Sequence, residues 1–279
     1  MRIETALAEC QETVRRFDPD RYFAALFAPD EQRPLLFALY AFNHEIARAA
    51  DPVRTPMLGE IRLQWWREAV EAARDNHPRA HPASLGLAEL FARAGPPLEL
   101  FETLIDARAF DLDAEGFADL AALEDYAAAT SGSLMRIAAH ALDVDADADD
   151  IVRSAGIAYG LAGILRAVPH DAARRKLFLP RDLLAAEDLS TEDIYAGRGT
   201  EKLKRVLARV AACALGHHAA ARKLARPRQA FAALLPAALA PLYLKRLTRP
   251  GFDPYRDVSD VAQFRRQWTL LRASLRGRV

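Results

Sequence analysis

Asp171 stands just ahead of three consecutive cations, Arg174, Arg175 and Lys176, and just after Arg166. A guanidinium fork can donate two hydrogen bonds to a phosphate. A carboxylate offers the hard oxygen that magnesium prefers, and magnesium is commonly shared between protein carboxylates and substrate phosphates. Phosphate binding is what such a run of cations could perform, although three adjacent cations are also common on solvated turns. A second acidic position, Asp51, closes the run Tyr40-Ala41-Phe42-Asn43-His44-Glu45-Ile46-Ala47-Arg48-Ala49-Ala50-Asp51. Arg48 there either pairs with Asp51, meets a phosphate oxygen or reaches solvent.

Other chemistries find less support. His217-His218 and the isolated His44, His140 and His170 form no metal-ligand spacing such as His-Glu-x-x-His. His170 reads as a surface residue. Ser131, Ser133 and Cys213 lack a triad context, there is no glycine-rich phosphate loop, and Cys10 and Cys213 are too few for a disulfide framework or a cysteine zinc site. Lysine plus arginine and aspartate plus glutamate both number 38, so no global field attracts nucleic acid.

Helices must position these groups, because the pattern gives helix after helix with almost no strand signal. One domain spanning 1–279 is expected from a chain of 279 residues that is 51% hydrophobic and has no linker-like stretch. Asp30 is a candidate N-cap for a helix carrying Pro34, Leu35, Phe37 and Tyr40 and ending near Asp51-Pro52. Thr55-Pro56 opens the next, with Leu58, Ile61, Trp65 and Ala69 on one face and Leu63, Trp66 and Val70 on a neighbouring one, as if packed on two sides. Further helices are predicted over 83–94, 97–110, 120–142, 148–168, 200–225, after Arg228, and over 259–275. The apolar stretch 230–244 contains Pro236 and Pro241 and falls short of the roughly twenty residues of a membrane span. It reads as a buried, kinked helix, with peripheral membrane contact as the alternative. Glu4, Glu9 and Glu12 argue against a secretory signal, so a cytoplasmic location is expected, with a peripheral place at the inner membrane as its variant.

The run Gly163-Ile164-Leu165-Arg166-Ala167-Val168-Pro169-His170-Asp171, followed by Arg174-Arg175-Lys176-Leu177-Phe178-Leu179-Pro180, resembles the second aspartate-rich segment of the squalene/phytoene synthase family. The usual form there is asparagine-Ile-Leu-Arg-aspartate-Val-x-x-aspartate, then a basic stretch and aromatic-Leu-Pro. Gly163 and Ala167 replace the asparagine and the first aspartate, and Gly160 stands where glutamine is usual. Tyr40-Ala41-Phe42 resembles the first motif, whose Asp-Asp-x-x-Asp would fall on Ala47, Arg48 and Asp51. Arg62-Leu63-Gln64-Trp65-Trp66-Arg67 matches a further family segment, and Tyr126 with Thr130-Ser131-Gly132-Ser133 matches one where small residues let helices approach. The match runs from about Arg21 to Asp253. In its Tyr40-Ala41-Phe42-Asn43 start and its Leu165-Arg166-Ala167-Val168-Pro169 run it resembles a divergent branch that includes the mitochondrial assembly factor of respiratory complex I.

The resemblance implies an all-α, single-domain, isoprenoid-synthase-type helical bundle around a central apolar cavity. It places Asp51 and Asp171 as the remaining metal ligands, and Tyr40, Arg48, Arg166, Arg174, Arg175 and Lys176 toward the substrate. Magnesium binding is expected to be weakened or absent, since a three-ion set would lack ligands. The implied function is a catalytically diverged or inactive protein that binds an isoprenoid diphosphate or another lipid phosphate and supports complex I assembly, with complex I subunits as partners. The alternatives are an active magnesium-dependent prenyl transferase joining two prenyl diphosphates head to head, and an interaction scaffold with a collapsed tunnel.

Overall fold

Side-chain caps written in the sequence set several of the helix starts. The computed structural model describes residues 1–49, 56–144, 149–222, 231–257 and 259–277. Its helices are α1 (Ile3–Phe17), α2 (Pro19–Ala25), α3 (Arg33–Ala47), α4 (Pro56–Arg74), α5 (Pro82–Ala94), α6 (Leu98–Ala107), α7 (Leu120–Ala127), α8 (Ser133–His140), α9 (Asp149–Ala173), α10 (Arg181–Ala186), α11 (Thr191–Tyr195), α12 (Glu201–Ala221), α13 (Phe231–Leu234), α14 (Ala240–Leu247) and α15 (Gln263–Arg276). The side chains of Asp18, Asp119 and Thr200 cap α2, α7 and α12, each accepting from a backbone N–H that the first turn leaves unpaired. Asp30 does not cap α3; it pairs with Arg33 at 2.7 Å, and α3 starts at Arg33 with Pro34 in its first turn.

The centre is α9, 25 residues long, whose two sides serve two cores. Val152, Ala155 and Tyr159 join the apolar cluster built on α1, α3, α5, α6 and α8. Ile157, Ala158, Leu161, Leu165 and Val168 join the second, shared with α12 and α14. By length and composition α9 could cross a membrane, but the structure buries it between these layers. The helix runs past Pro169, beyond the predicted end, because Val168 and Ala172 remain packed while the proline forfeits only one local hydrogen bond.

The predicted helix over 120–142 is interrupted by a π-helical turn, Ala128–Gly132. There Gly132 meets α9 backbone to backbone: a Cβ on Gly156 would lie 2.6 Å from the Gly132 Cα and 2.7 Å from the Ser131 carbonyl oxygen. The small residues of this segment do let helices approach. Two short parallel strands, β1 (Glu115–Phe117) and β2 (Leu177–Pro180), pair Glu115 with Leu177 and Phe117 with Pro180. Strands this short lie below the window in which alternation can be read.

Helix α4 corrects one expectation. Leu63, Trp66, Ala69 and Val70 are buried, but Leu58 and Ile61 are exposed. Gly59 decides the rotation, because a Cβ there would strike Leu112 Cδ2 at 2.1 Å. That contact turns the 59–63–66–70 edge inward and leaves 58 and 61 outside. The 230–244 stretch is buried throughout 231–240, broken by a 3-10 turn at Leu235–Leu239 that contains Pro236. Its side chains over 231–240 are buried in the core, as the reading of a buried, kinked helix expects.

Candidate functional site

One face of α9 presents Gly160, Gly163, Ala167 and Asp171 to a cavity of about 390 Å³. Spacings of three and four residues keep all four on one helix edge. The facing walls come from the start of α2, the middle of α3, the 3-10 turn Arg108–Asp113 and the π-helical turn. The lining is shared between charged groups and apolar or backbone surface such as Ile164, Ala167 and Phe178.

Three arginines converge here, and each is positioned differently. Arg21 donates to Asp18 at 2.7 Å and lies over the rings of Tyr40 and Tyr159, at 5.7 and 4.9 Å from their centroids. Arg108 donates to Asp111 and to the Tyr126 hydroxyl, both at 3.1 Å, while that hydroxyl donates to Asp111 at 2.5 Å. This closed triangle holds the Asp111 carboxylate in place. Burial pushes the Tyr126 and Tyr40 phenols well above their usual range, so both remain neutral donors. Arg166 lies 3.9 Å from the Tyr243 ring centroid, 3.7 Å from Asp20 and 2.9 Å from Asp260.

Asp20 is the buried hub behind this wall. It accepts from Arg266 at 2.7 Å, from the Tyr243 hydroxyl at 2.5 Å and from the Tyr159 hydroxyl at 3.3 Å. A carboxylate taken out of water is tolerable only with such a shell. Burial raises the Asp171 carboxyl, and nearby Asp111 adds to the rise, against the pull of His170 at 3.2 Å.

The expected site residues are only partly brought together. Arg166 and Asp171 line the cavity. Tyr40 does not; it is buried and supports Arg21 from behind. Arg48, at the C-cap of α3, lines a separate hollow with Glu45, Arg62, Trp65 and His81. Asp51 lies outside the described residues. The run Arg174, Arg175 and Lys176 diverges instead of forming a mouth, because α9 has ended and Arg175 takes a left-handed φ of 54° that reverses the chain into β2. Arg175 swings to Glu192 at 2.5 Å and over Tyr195, Lys176 donates to the Asp111 carbonyl at 2.5 Å, and Arg174 is exposed.

Sequence reading missed Asp18, Asp20, Arg21, Arg108 and Asp111. Local signals did exist: Asp18-Pro19 has the form of a cap followed by a first-turn proline, and Arg108 and Asp111 stand at i,i+3. It also missed that Cys213 and His217, one turn apart on α12, both lie 2.8 Å from the same Glu124 oxygen on α7. Burial and Glu124 push the Cys213 thiol up to about 12, so this cluster rests as a hydrogen-bonded one.

Among the described carboxylates lining the cavity, Asp18 and Asp111 already hold arginines, and Asp171 alone does not. One such carboxylate supplies too few oxygens for the three-magnesium set that this fold implies. Gly163 adds none, although a Cβ there would meet nothing within 4 Å.

A family model described as squalene/phytoene synthase matches residues 14–272. The chain belongs to this family. The human protein named NADH dehydrogenase (ubiquinone) complex I, assembly factor 6, is 31% identical over 247 residues, which covers 88% of this chain and 74% of that one. A presqualene diphosphate synthase of Rhodopseudomonas palustris is 29% identical over 205 residues, covering 73% of each chain. A solved dehydrosqualene synthase in complex with a ligand superposes with a TM-score of 0.85 at 16% identity, covering 98% of this chain and 97% of that one, which establishes the all-α isoprenoid-synthase fold. This squalene/phytoene synthase family member thus has homologues among both complex I assembly factors and synthases.

Proposed function

We propose that this family member binds an isoprenoid diphosphate or a related lipid phosphate in the α9 cavity without ionising it, and that it supports assembly of a respiratory complex I. The observation that carries the reading is the convergence of Arg21, Arg108 and Arg166 on a cavity whose α9 wall offers glycine and alanine at 163 and 167. Cations that grip a phosphate are retained there, while oxygens that would gather metal ions are sparse. Asn43 Oδ1 and Ser131 Oγ, buried on the same walls without a hydrogen-bond partner, add groups that a polar ligand would satisfy. The assembly role is supported by the 31% identity to the human assembly factor.

The test is to incubate the purified protein with farnesyl and geranylgeranyl diphosphate, with and without magnesium, following both binding and diphosphate release. Binding without release is expected, and it should weaken at least tenfold on Arg166→Ala. Magnesium-dependent release that disappears with Asp171→Ala would establish the prenyl transferase reading instead. Deleting the gene in its own host should lower assembled NADH:quinone oxidoreductase in the membrane; unchanged levels would remove the assembly role.

A further inference from the structure

The last helix carries an apolar ridge on the side that faces away from the protein. Phe264, Trp268, Leu271 and Leu275 of α15 are 73%, 51%, 39% and 73% exposed. Their spacing places them along one edge about 16 Å long at the α-helical rise. Leu270 and Ala273, the buried residues of α15, lie on the opposite edge. The helix therefore has two apolar sides, one spent on the core and one facing solvent.

Arg265, Arg272 and Arg276 form the flank of the ridge, and none has a carboxylate within ion-pair distance among the described residues. Between α15 and the end of α12 lies a hollow of about 590 Å³ lined by His218, Arg222, Trp268, Arg272 and Arg276. His218 is 8% exposed, and its buried Nε2 has no hydrogen-bond partner. An orphaned polar atom at this depth is costly unless something at the site meets it. Aromatic and aliphatic side chains in a row, edged by arginines, suit the boundary between acyl chains and head groups. An antiparallel second copy fits poorly, because pairing two such ridges would set arginine rows against each other.

We infer that α15 is a peripheral docking element for an anionic phospholipid bilayer, with Phe264, Trp268, Leu271 and Leu275 entering the interface and the His218–Arg222–Arg272–Arg276 hollow receiving a lipid phosphate. The inference is independent of what the α9 cavity binds.

The test is flotation of the full chain with phosphatidylcholine vesicles, with and without about a third phosphatidylglycerol, at low and high salt, alongside sedimentation velocity without lipid. The expected result is binding to the anionic vesicles only, weakened by salt and reduced at least tenfold in Phe264→Glu/Leu275→Glu and in Arg272→Glu/Arg276→Glu. Thermal melting of both variants verifies that these exposed substitutions leave the fold intact. Absence of binding to anionic vesicles, equal binding to neutral ones, or binding unchanged by either variant overturns the proposal. So does a dimer of the wild-type chain that the ridge substitutions dissolve, which would assign the ridge to a second copy.

Discussion

The end of α3 and the cavity face of α9 carry the two segments that resemble the family's aspartate-rich motifs, and they stand differently toward the cavity. On α9 the short positions Gly163 and Ala167 leave room beside Arg166 and Asp171, and all four line the cavity. At the end of α3, Arg48 lies at a hollow that shares no lining residue with the cavity of Asp171. Short side chains keep the α9 segment at the pocket, whereas the exposed Arg48 faces another hollow. Resembling a motif and lining the cavity are therefore separate properties in this fold.

The sharpest way to break this contrast is through what stabilises each region. Asp20→Asn should cost about 3–5 kcal/mol in denaturant unfolding, because Arg166 and Arg266 would lose their shared buried carboxylate. Arg48→Ala should stay within about 0.5 kcal/mol of the parent, as exposed substitutions generally do. Equal effects would mean that the two regions are not differently built. Along α9 itself, Gly156→Leu should cost about 3 kcal/mol or more, since its Cβ would meet backbone atoms that cannot rotate away. Gly163→Ala should instead stabilise by about 0.5–1 kcal/mol through helix propensity alone.

Restoring carboxylates gives a chemical version of the comparison. Ala167→Asp adds an oxygen ligand one turn from Asp171 and should strengthen magnesium binding roughly tenfold, as read by calorimetry. Adding Ala47→Asp and Arg48→Asp should change little if Arg48 lies apart from the cavity; a further large gain would rejoin the two regions.

The smallest effect concerns protons. Burial raises the Asp171 carboxyl, so its ionised form is disfavoured in the folded chain, and stability is lost as pH rises from the usual carboxylate range through the raised value. Asp171→Asn should accordingly raise the thermal midpoint at pH 7, with the difference closing near pH 3. His218 has the opposite sense: burial lowers it to about 4, so stability present above pH 6.5 is lost as pH falls toward that value, and His218→Gln should flatten this limb.

Much of the helical frame was legible because its signals are local. Thr200 and Pro56 announce their helices, and the small residues at 130–133 mark a close approach that Gly156 completes. The cavity cations were harder to read, because nothing local selects among 38 basic residues those that meet across the fold. Arg21 is aimed by Asp18 nearby and by Tyr40 and Tyr159 from distant helices, whereas the conspicuous basic run is dispersed by one left-handed residue. The rotation of α4 depended on the contact of Gly59 with Leu112, which hydrophobic periodicity cannot foresee.

The Asp20 cluster joins a residue of α2 to Arg266 on α15, nearly the whole chain apart. The shell of Asp20 is complete only when Tyr159 and Arg166 of α9, Tyr243 of α14 and Arg266 of α15 have all met it, so the cluster closes only when four helices are docked. Loosening of either helix should therefore release the other, so the cluster acts as a clasp between α2 and α15.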